Sequence, residues 1–165
     1  MSVMSSPTAP DLPPALAPFA FLIGWWRGQG QGMWNPTNPF RYREEVQFVA
    51  PPGKPFLFYT QRTWALDDGR PMHAEAGYLR PGDGRTVEFV LAQPTGLTEV
   101  QAGTLAGQRL TLRAATVGRA PTALNVTGIA RELWREGDVL RYLVRMAMND
   151  EPLADHLTAD LQRVP

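Results

Sequence analysis

The stretch IGWWRGQGQGMW, residues 23–34, combines tryptophan with a run of alternating glycines. Every second position from Gly24 onward carries one of these two residue types: Gly24, Trp26, Gly28, Gly30, Gly32 and Trp34. Because successive side chains of a strand point to opposite faces, three consecutive positions on one face would carry no side chain. Glycine inside a strand usually marks a bend, a bulge or a close approach by another group. The stretch therefore predicts a strand with one bare face.

After this strand, apolar or aromatic segments alternate with compact turn signals. Each turn contains glycine, most of them together with Asp or Pro: PPGKP at 51–55, DDGRP at 67–71, PGDGR at 81–85, LAGQR at 105–109 and REGDV at 135–139. Such residues supply the backbone angles of tight hairpins. Together with the glycine strand and the C-terminal segment HLTADLQRV, the pattern predicts about ten strands that hairpins join into an antiparallel meander.

Closure of such a meander into a barrel removes the exposed strand edges that would otherwise invite aggregation. We therefore expect an all-β fold, an antiparallel up-and-down β-barrel of about ten strands, similar to lipocalins. Two packed sheets are the competing architecture. In the segment VLRYLVRMAM, one face is predicted to point inward: Leu140, Tyr142, Val144, Met146 and Met148. Simple core packing is the favoured explanation of these methionines, and a deformable wall for a flat hydrophobic ligand is the alternative.

The N-terminal segment is rich in Pro, Ser and Ala, and we expect residues 1–15 to form a disordered tail before a single barrel domain over residues 16–165. It has neither a basic n-region nor a long apolar run, which argues against a signal peptide or a membrane anchor. The segment PALAPFAFLIG, residues 14–24, predicts one short helical turn.

Composition narrows the range of functions. The chain of 165 residues carries 16 basic and 16 acidic side chains, so no net charge directs it to nucleic acid or to an anionic membrane. The absence of cysteine excludes disulfides, thiolate metal sites and cysteine nucleophiles, and it suits a cytoplasmic protein. The sequence also lacks a P-loop, a dinucleotide-binding fingerprint and a Gly-x-Ser-x-Gly motif.

The two histidines are the main candidates for chemistry. His73 follows a turn, and a solvated or hydrogen-bonded strand residue is its simplest interpretation. His156 shares its side of the last strand with polar residues, which favours a surface position unless a bulge or a barrel mouth redirects the side chain. Two strand glutamates, Glu75 and Glu88, lie among basic residues and are expected to form solvated cross-strand pairs.

Read together, these segments closely resemble the nitrobindin family of haem-binding β-barrels. The family signature Gly-x-Trp-x-Gly-x-Gly-x-Gly-x-Tyr-Pro is matched from Gly24 to Gly32, but Trp34-Asn35-Pro36 stands in place of Tyr-Pro. Four further segments match in order: KPFLFYTQRTW, PMHAEAGYLR, AQPTGLTEVQAG and the ending from Met146 to Leu157. The resemblance extends from about residue 16 to the C-terminus.

The resemblance implies a haem b group near one barrel opening, with His156 as the single axial ligand of the iron. It also implies further cofactor contacts: Thr37, Met72, His73, Gln93 and Met146. The family isomerises peroxynitrite to nitrate at ferric haem and binds nitric oxide at ferrous haem. Small molecules would thus be the partners of this chain, as a monomer or a homodimer, with no nucleic acid or membrane partner.

Two alternatives belong to other functional classes. An enclosed barrel could carry a fatty acid or another small hydrophobic ligand, with Arg62 or Arg131 pointing inward to bind the carboxylate. An interaction module that has lost its cofactor is the third possibility, and the altered signature at Trp34-Asn35 is its only support.

Overall fold

The computed structural model describes residues 12–34 and 38–165. One 3₁₀ helix, Pro14–Leu22, precedes ten strands in these two ranges. The strands are β1 (Gly24–Met33), β2 (Pro39–Val49), β3 (Leu57–Ala65), β4 (Pro71–Pro81), β5 (Thr86–Ala92), β6 (Leu97–Ala106), β7 (Arg109–Arg119), β8 (Val126–Glu136), β9 (Val139–Met148) and β10 (Ala154–Arg163). Within the same ranges, no helix is long and apolar enough to cross a membrane.

The ten strands form a closed barrel in which every strand pairs antiparallel with its sequence neighbours. Closure comes from β1, which pairs with β2 on one side and with β10 on the other. The predicted up-and-down barrel is therefore confirmed, and the chain does not adopt two packed sheets. The shortest run of strand pairing lies between β7 and β8 and extends only from Arg109↔Trp134 to Arg113↔Ala130.

The bare face of β1 points into the barrel and lies beneath aromatic rings of β2. A methyl group at Gly30 would collide with the ring of Tyr42, and one at Gly32 would collide with the ring of Phe40. Close approach, rather than an unusual backbone angle, thus requires glycine at both positions. The glycine stretch makes room for the rings that line this side of the interior.

The 3₁₀ helix closes one end of the barrel. Leu16, Phe19 and Leu22 are buried in the hydrophobic core, and Pro14 and Phe19 border the β4–β5 and β6–β7 turns. The indole Nε1 of the fully buried Trp26 donates a hydrogen bond to the carbonyl oxygen of Leu22 at 2.8 Å, which ties the helix to β1. The short N-terminal helix is thus confirmed; the predicted tail over residues 1–15 falls mainly on residues outside the described ranges.

The barrel interior has an apolar half and a polar half. Near the helix, the inward side chains are almost all aliphatic or aromatic, among them Phe48, Leu57, Leu79, Phe89, Leu110, Leu140 and Leu161. Towards the opposite end, polar or charged side chains are buried beside apolar ones: Glu44, Gln61, Thr63, Glu75, Glu99, Gln101 and Arg131. The inward face predicted for β9 is confirmed, with Met146 and Met148 partly buried against the core.

Candidate functional site

A cavity occupies the end of the barrel opposite the helix. It is formed where β1, β3, β5 and β9 end and where β2, β4, β6, β8 and β10 begin. Five of the predicted site residues border it: Met72, His73, Gln93, Met146 and His156. Thr37, the sixth, lies outside the described residues. Three separated stretches of the sequence, 72–73, 93 and 146–156, thus meet at one opening.

His156 reaches this cavity because the last strand carries a bulge. Asp155 pairs with Arg145, but Leu157 pairs with Val144, so His156 is an extra residue with no partner on β9. A bulge of this kind redirects side chains and is common at barrel rims and beside active sites. Strict alternation, which favoured a surface position for His156, fails here, because the periodicity shifts by one residue at the bulge.

The imidazole of His156 is held in one tautomer. Its Nδ1 lies 2.9 Å from the carbonyl oxygen of Met33, and because that oxygen can only accept, Nδ1 carries the hydrogen. Burial, the largest cause, lowers the pKa of His156, so the ring is neutral at physiological pH. Within the part of the chain that the structure describes, Nε2 has no hydrogen-bond partner. The lone pair of Nε2 is therefore available to a metal.

Two aromatic rings brace the imidazole of His156. The Trp34 ring lies 5.0 Å from it between centroids, and the Phe40 ring lies 6.4 Å away in an edge-on arrangement. Phe40 is itself placed by the bare backbone of Gly32. Trp34, where the chain departs from the family signature, thus makes an aromatic contact with His156.

His73 lies at a second irregularity of the barrel rim. Arg62 pairs with Ala74 and Trp64 pairs with Pro71, so β4 has one more residue than β3 across this interval. The backbone N–H of His73 donates to Oγ1 of Thr63 at 3.0 Å, and its Nε2 lies 3.6 Å from a carboxylate oxygen of Glu75. Both histidines of the chain therefore border the same cavity.

Glu75 forms a buried ion pair beneath the cavity. Arg131 Nη1 donates to Glu75 Oε1 at 2.7 Å, and the Tyr59 hydroxyl donates to the same oxygen at 2.8 Å. Burial alone would raise the pKa of Glu75, but the charge of Arg131 and the proximity of His73 outweigh it and hold this pKa below its usual range. The prediction of a solvated pair was wrong for Glu75, which is 6% exposed, whereas the exposed Glu88 pairs with Arg80 at 3.2 Å.

Glu99 is the third buried carboxyl group of the barrel interior, beside Glu44 and Glu75. Gln93 and Gln101 each donate a side-chain N–H to it. Burial is the largest cause acting on Glu99 and raises its pKa. Gln93, which was expected to contact a cofactor, is therefore also the hydrogen-bond partner of a buried acid at the edge of the cavity.

The side chains that border the cavity suit a metal ion that is already bound within a cofactor. Among the described residues, no group of three or more His, Cys, Asp or Glu side chains could hold a bare metal ion. The cavity instead offers the Nε2 of His156 and apolar walls from side chains such as Met72, Met146, Val144 and Leu157. A planar apolar ring that carries iron needs one axial nitrogen and such walls. The residues thus fit haem.

The arginines considered for a fatty-acid carrier do not offer a free cation. Arg62 is exposed on the outer face of β3. Arg131 points inward and is buried, but its charge is neutralised by Glu75. A carboxylate ligand would have to compete with an existing ion pair, which disfavours this alternative.

Comparisons with known proteins agree with this geometry. Residues 15–163 match the model of the THAP4-like, haem-binding β-barrel domain. A protein of Mycobacterium avium named peroxynitrite isomerase 2 is 48% identical, with 93% of this chain and 97% of that protein covered. An Arabidopsis thaliana protein named peroxynitrite isomerase Rv2717c is 44% identical, with 94% and 93% covered. The crystal structure of Rv2717c from M. tuberculosis superimposes with a TM-score of 0.86 at 44% identity and covers 94% of this chain and 100% of that one.

Proposed function

This chain belongs to the family of THAP4-like haem-binding β-barrel domains, and we propose that it isomerises peroxynitrite to nitrate on a haem b ligated by His156. The activity is that of relatives named peroxynitrite isomerase, which are 46–48% identical over nearly the whole chain. Binding of nitric oxide to the ferrous form is a further part of the proposal.

The observation that carries the proposal is the state of the His156 side chain. The hydrogen bond from Nδ1 to Met33 fixes the ring orientation, and burial keeps the ring neutral. A histidine ligand of a metal usually donates its other ring N–H to such an acceptor, which orients the ring and raises its basicity. The contact with Met33 and the burial of the ring thus support His156 as the residue that would hold the haem iron.

The remaining cavity residues would enclose the ring and leave one side of the iron accessible. Met72 and Met146 supply flexible, polarisable contacts with a flat apolar surface, and Gln93 and His73 supply polar groups beside it. Thr37 belongs to the proposal through the family resemblance alone. When bound, ferric haem would supply Lewis-acid chemistry that the side chains of this cavity lack.

The chain itself contributes binding, orientation and a restricted set of oxidisable groups. His156 would hold the haem iron, and the bound haem would supply the site at which a small anion reacts. The sequence contains no cysteine, so no thiol of the chain can be oxidised by peroxynitrite. Met72 and Met146 border the cavity, and their conversion to sulfoxides would report reaction that escapes the site.

Rapid mixing tests this proposal directly. Peroxynitrite is mixed with the ferric haem-loaded chain, with the haem-free chain and with buffer, while its decay and the final nitrate and nitrite are measured. We expect faster decay and a larger share of nitrate only with the haem-loaded chain. Equal decay in all three samples would contradict the activity, even if haem binds. Cytoplasmic localisation and the choice between monomer and homodimer stay predictions.

A further inference from the structure

A hydrogen-bond chain inside the barrel links β2, β9 and β10. Glu44 Oε2 lies 2.7 Å from the Tyr142 hydroxyl, which lies 2.7 Å from the Tyr42 hydroxyl. The Tyr42 hydroxyl in turn lies 3.1 Å from the carbonyl oxygen of Thr158. Glu44 is 1% exposed, so water does not compete for its contact with Tyr142. Thr158 stands two residues after His156 in β10.

The number of hydrogens in this chain depends on the charge of Glu44. The three contacts between Glu44, Tyr142, Tyr42 and Thr158 each need one hydrogen, but the two hydroxyls carry only two, and the carbonyl carries none. With an ionised Glu44, one contact would be a pair of oxygens without a hydrogen. With a protonated Glu44, each contact has its own hydrogen and all three bonds point in one direction, from Glu44 towards Thr158.

The second oxygen of Glu44 fits the protonated form as well. Gln61 Nε2 donates a hydrogen bond to Oε1 at 2.8 Å, so Oε1 acts as an acceptor. In a neutral carboxylic acid, one oxygen accepts while the other carries the hydrogen. The two partners of Glu44 thus match the two oxygens of an undissociated acid.

The glycines of β1 leave the space that this hydrogen-bond chain needs. Gly30 lies beneath the Tyr42 ring, where any side chain would collide with the ring and its hydroxyl. The bare face of β1 therefore positions not only the aromatic wall but also the hydroxyl that reaches β10.

We propose that Glu44 is a positioning residue that is protonated in the folded protein below neutral pH, and that its proton directs the Tyr142–Tyr42 chain onto the carbonyl of Thr158 and so steadies the strand that carries His156. Loss of this proton would reverse the direction of these hydrogen bonds. Tyr142 would then donate to the carboxylate and Tyr42 would donate to Tyr142, so that the Thr158 carbonyl loses its donor. The haem-binding part of this proposal rests on the proposed function.

The groups around Glu44 agree with a carboxyl group that keeps its proton up to about neutral pH. Burial, the largest cause, raises the pKa of Glu44 to about 7, against hydrogen bonds from Tyr142 and Gln61 that lower it. Among the described residues, the titratable groups that face Glu44 come from β2, β3, β4, β8 and β9: Tyr42, Tyr59, Glu75, Arg131 and Tyr142. The negative charge of Glu75 also raises this pKa, and the positive charge of Arg131 lowers it. The direction of the Glu44–Tyr142–Tyr42 hydrogen bonds is therefore expected to reverse as the pH rises through the neutral range.

Infrared spectroscopy of the haem-free full chain tests the protonation without any cofactor. The spectra compare wild type, Glu44→Gln and, as a matched control, Glu99→Gln at about pH 6 and about pH 9. We expect wild type and Glu99→Gln to show a carboxylic-acid C=O band at the lower pH that weakens at the higher pH, and Glu44→Gln to lack it. A band of equal intensity in Glu44→Gln would overturn the proposal. The glutamine can donate to Tyr142 and accept from Gln61, so this variant should fold.

Haem release at the same two pH values tests the link to His156. Transfer of haem to an excess of apomyoglobin should be several-fold faster at the higher pH for wild type and independent of pH for Glu44→Gln. Tyr42→Phe removes the donor to Thr158 and should release haem fast at both values. Identical pH profiles in wild type and Glu44→Gln would overturn the link. Complete failure to bind haem would instead contradict the proposed function, which the infrared result does not depend on.

Discussion

The two ends of the barrel interior are built by the same strands but held by different forces. At the closed end, the helix and Trp26 bury apolar surface against aliphatic and aromatic side chains. At the open end, buried carboxyl groups, amides and Arg131 form hydrogen bonds with one another beneath a cavity that both histidines border. The closed end should therefore determine stability independently of pH, whereas stability at the open end should depend on protonation. Ligand binding should depend on the open end alone.

The largest expected effect comes from the closed end. Trp26→Ala removes a fully buried indole and its hydrogen bond to Leu22, and it should lower the free energy of unfolding by about 3–5 kcal/mol. Haem affinity of the folded fraction should not change. Trp25, the neighbouring residue, is 44% exposed, so Trp25→Ala should stay within about 0.5 kcal/mol of wild type in urea unfolding. Similar losses in both variants would contradict this assignment of the core.

The buried ion pair at the open end should be nearly as important at neutral pH. Glu75→Gln leaves Arg131 buried without its counter-charge and should cost about 3–5 kcal/mol. Because the folded-state pKa of Glu75 is depressed, the stability it supplies is present above its unfolded pKa of 4.5 and is lost as the pH falls below that value. The gap between variant and wild type should thus narrow in acid, while the gap for Trp26→Ala should not.

Glu88→Gln is the matched control for this measurement, since Glu88 pairs with Arg80 on the exposed outer face. It should change the free energy of unfolding by less than about 1 kcal/mol at any pH. A gap for Glu75→Gln that stays constant down to strongly acidic pH would show that the ion pair is not the source of the effect.

A smaller effect is expected where the glycine strand meets the open end. Gly30→Ala forces a methyl group against the Tyr42 ring and should cost about 1–3 kcal/mol through overpacking. Gly128→Ala is a suitable control, because the added methyl group would make only ordinary contacts with Ala147 and Leu153. Thermal unfolding of both variants checks the difference, and an equal change in midpoint would contradict the close-approach explanation.

The fold was predictable because its signals are local and repeated. Turn motifs at regular spacing and alternating strands led to the barrel, and the resemblance to nitrobindins pointed to the cavity residues. The buried glutamates were missed, since glutamate in a strand is usually solvated. An inward position of Arg131 was expected only for a fatty-acid carrier. One signal could have revealed Glu44: it shares its face of β2 with Tyr42, Val46 and Phe48, which are all buried.

His156 shows what alternation cannot predict. A bulge has no distinct mark in ADHLTADL, so the polar neighbours at alternate positions indicated the wrong face. The extra residue at the rim appears only when β10 is paired with β9. The departure from local rules thus lies where the chain is expected to bind its cofactor.

A haemin titration of wild type, His156→Ala and His73→Ala tests the central claim most directly, because both histidines border the cavity and either could in principle bind iron. Wild type and His73→Ala should give the same Soret band, that of haem with one axial imidazole. His156→Ala should lose this band and bind haemin at least about 100-fold more weakly, since loss of even an outer partner of a ligand costs about 10–100-fold. An unchanged spectrum and affinity in His156→Ala would contradict the account.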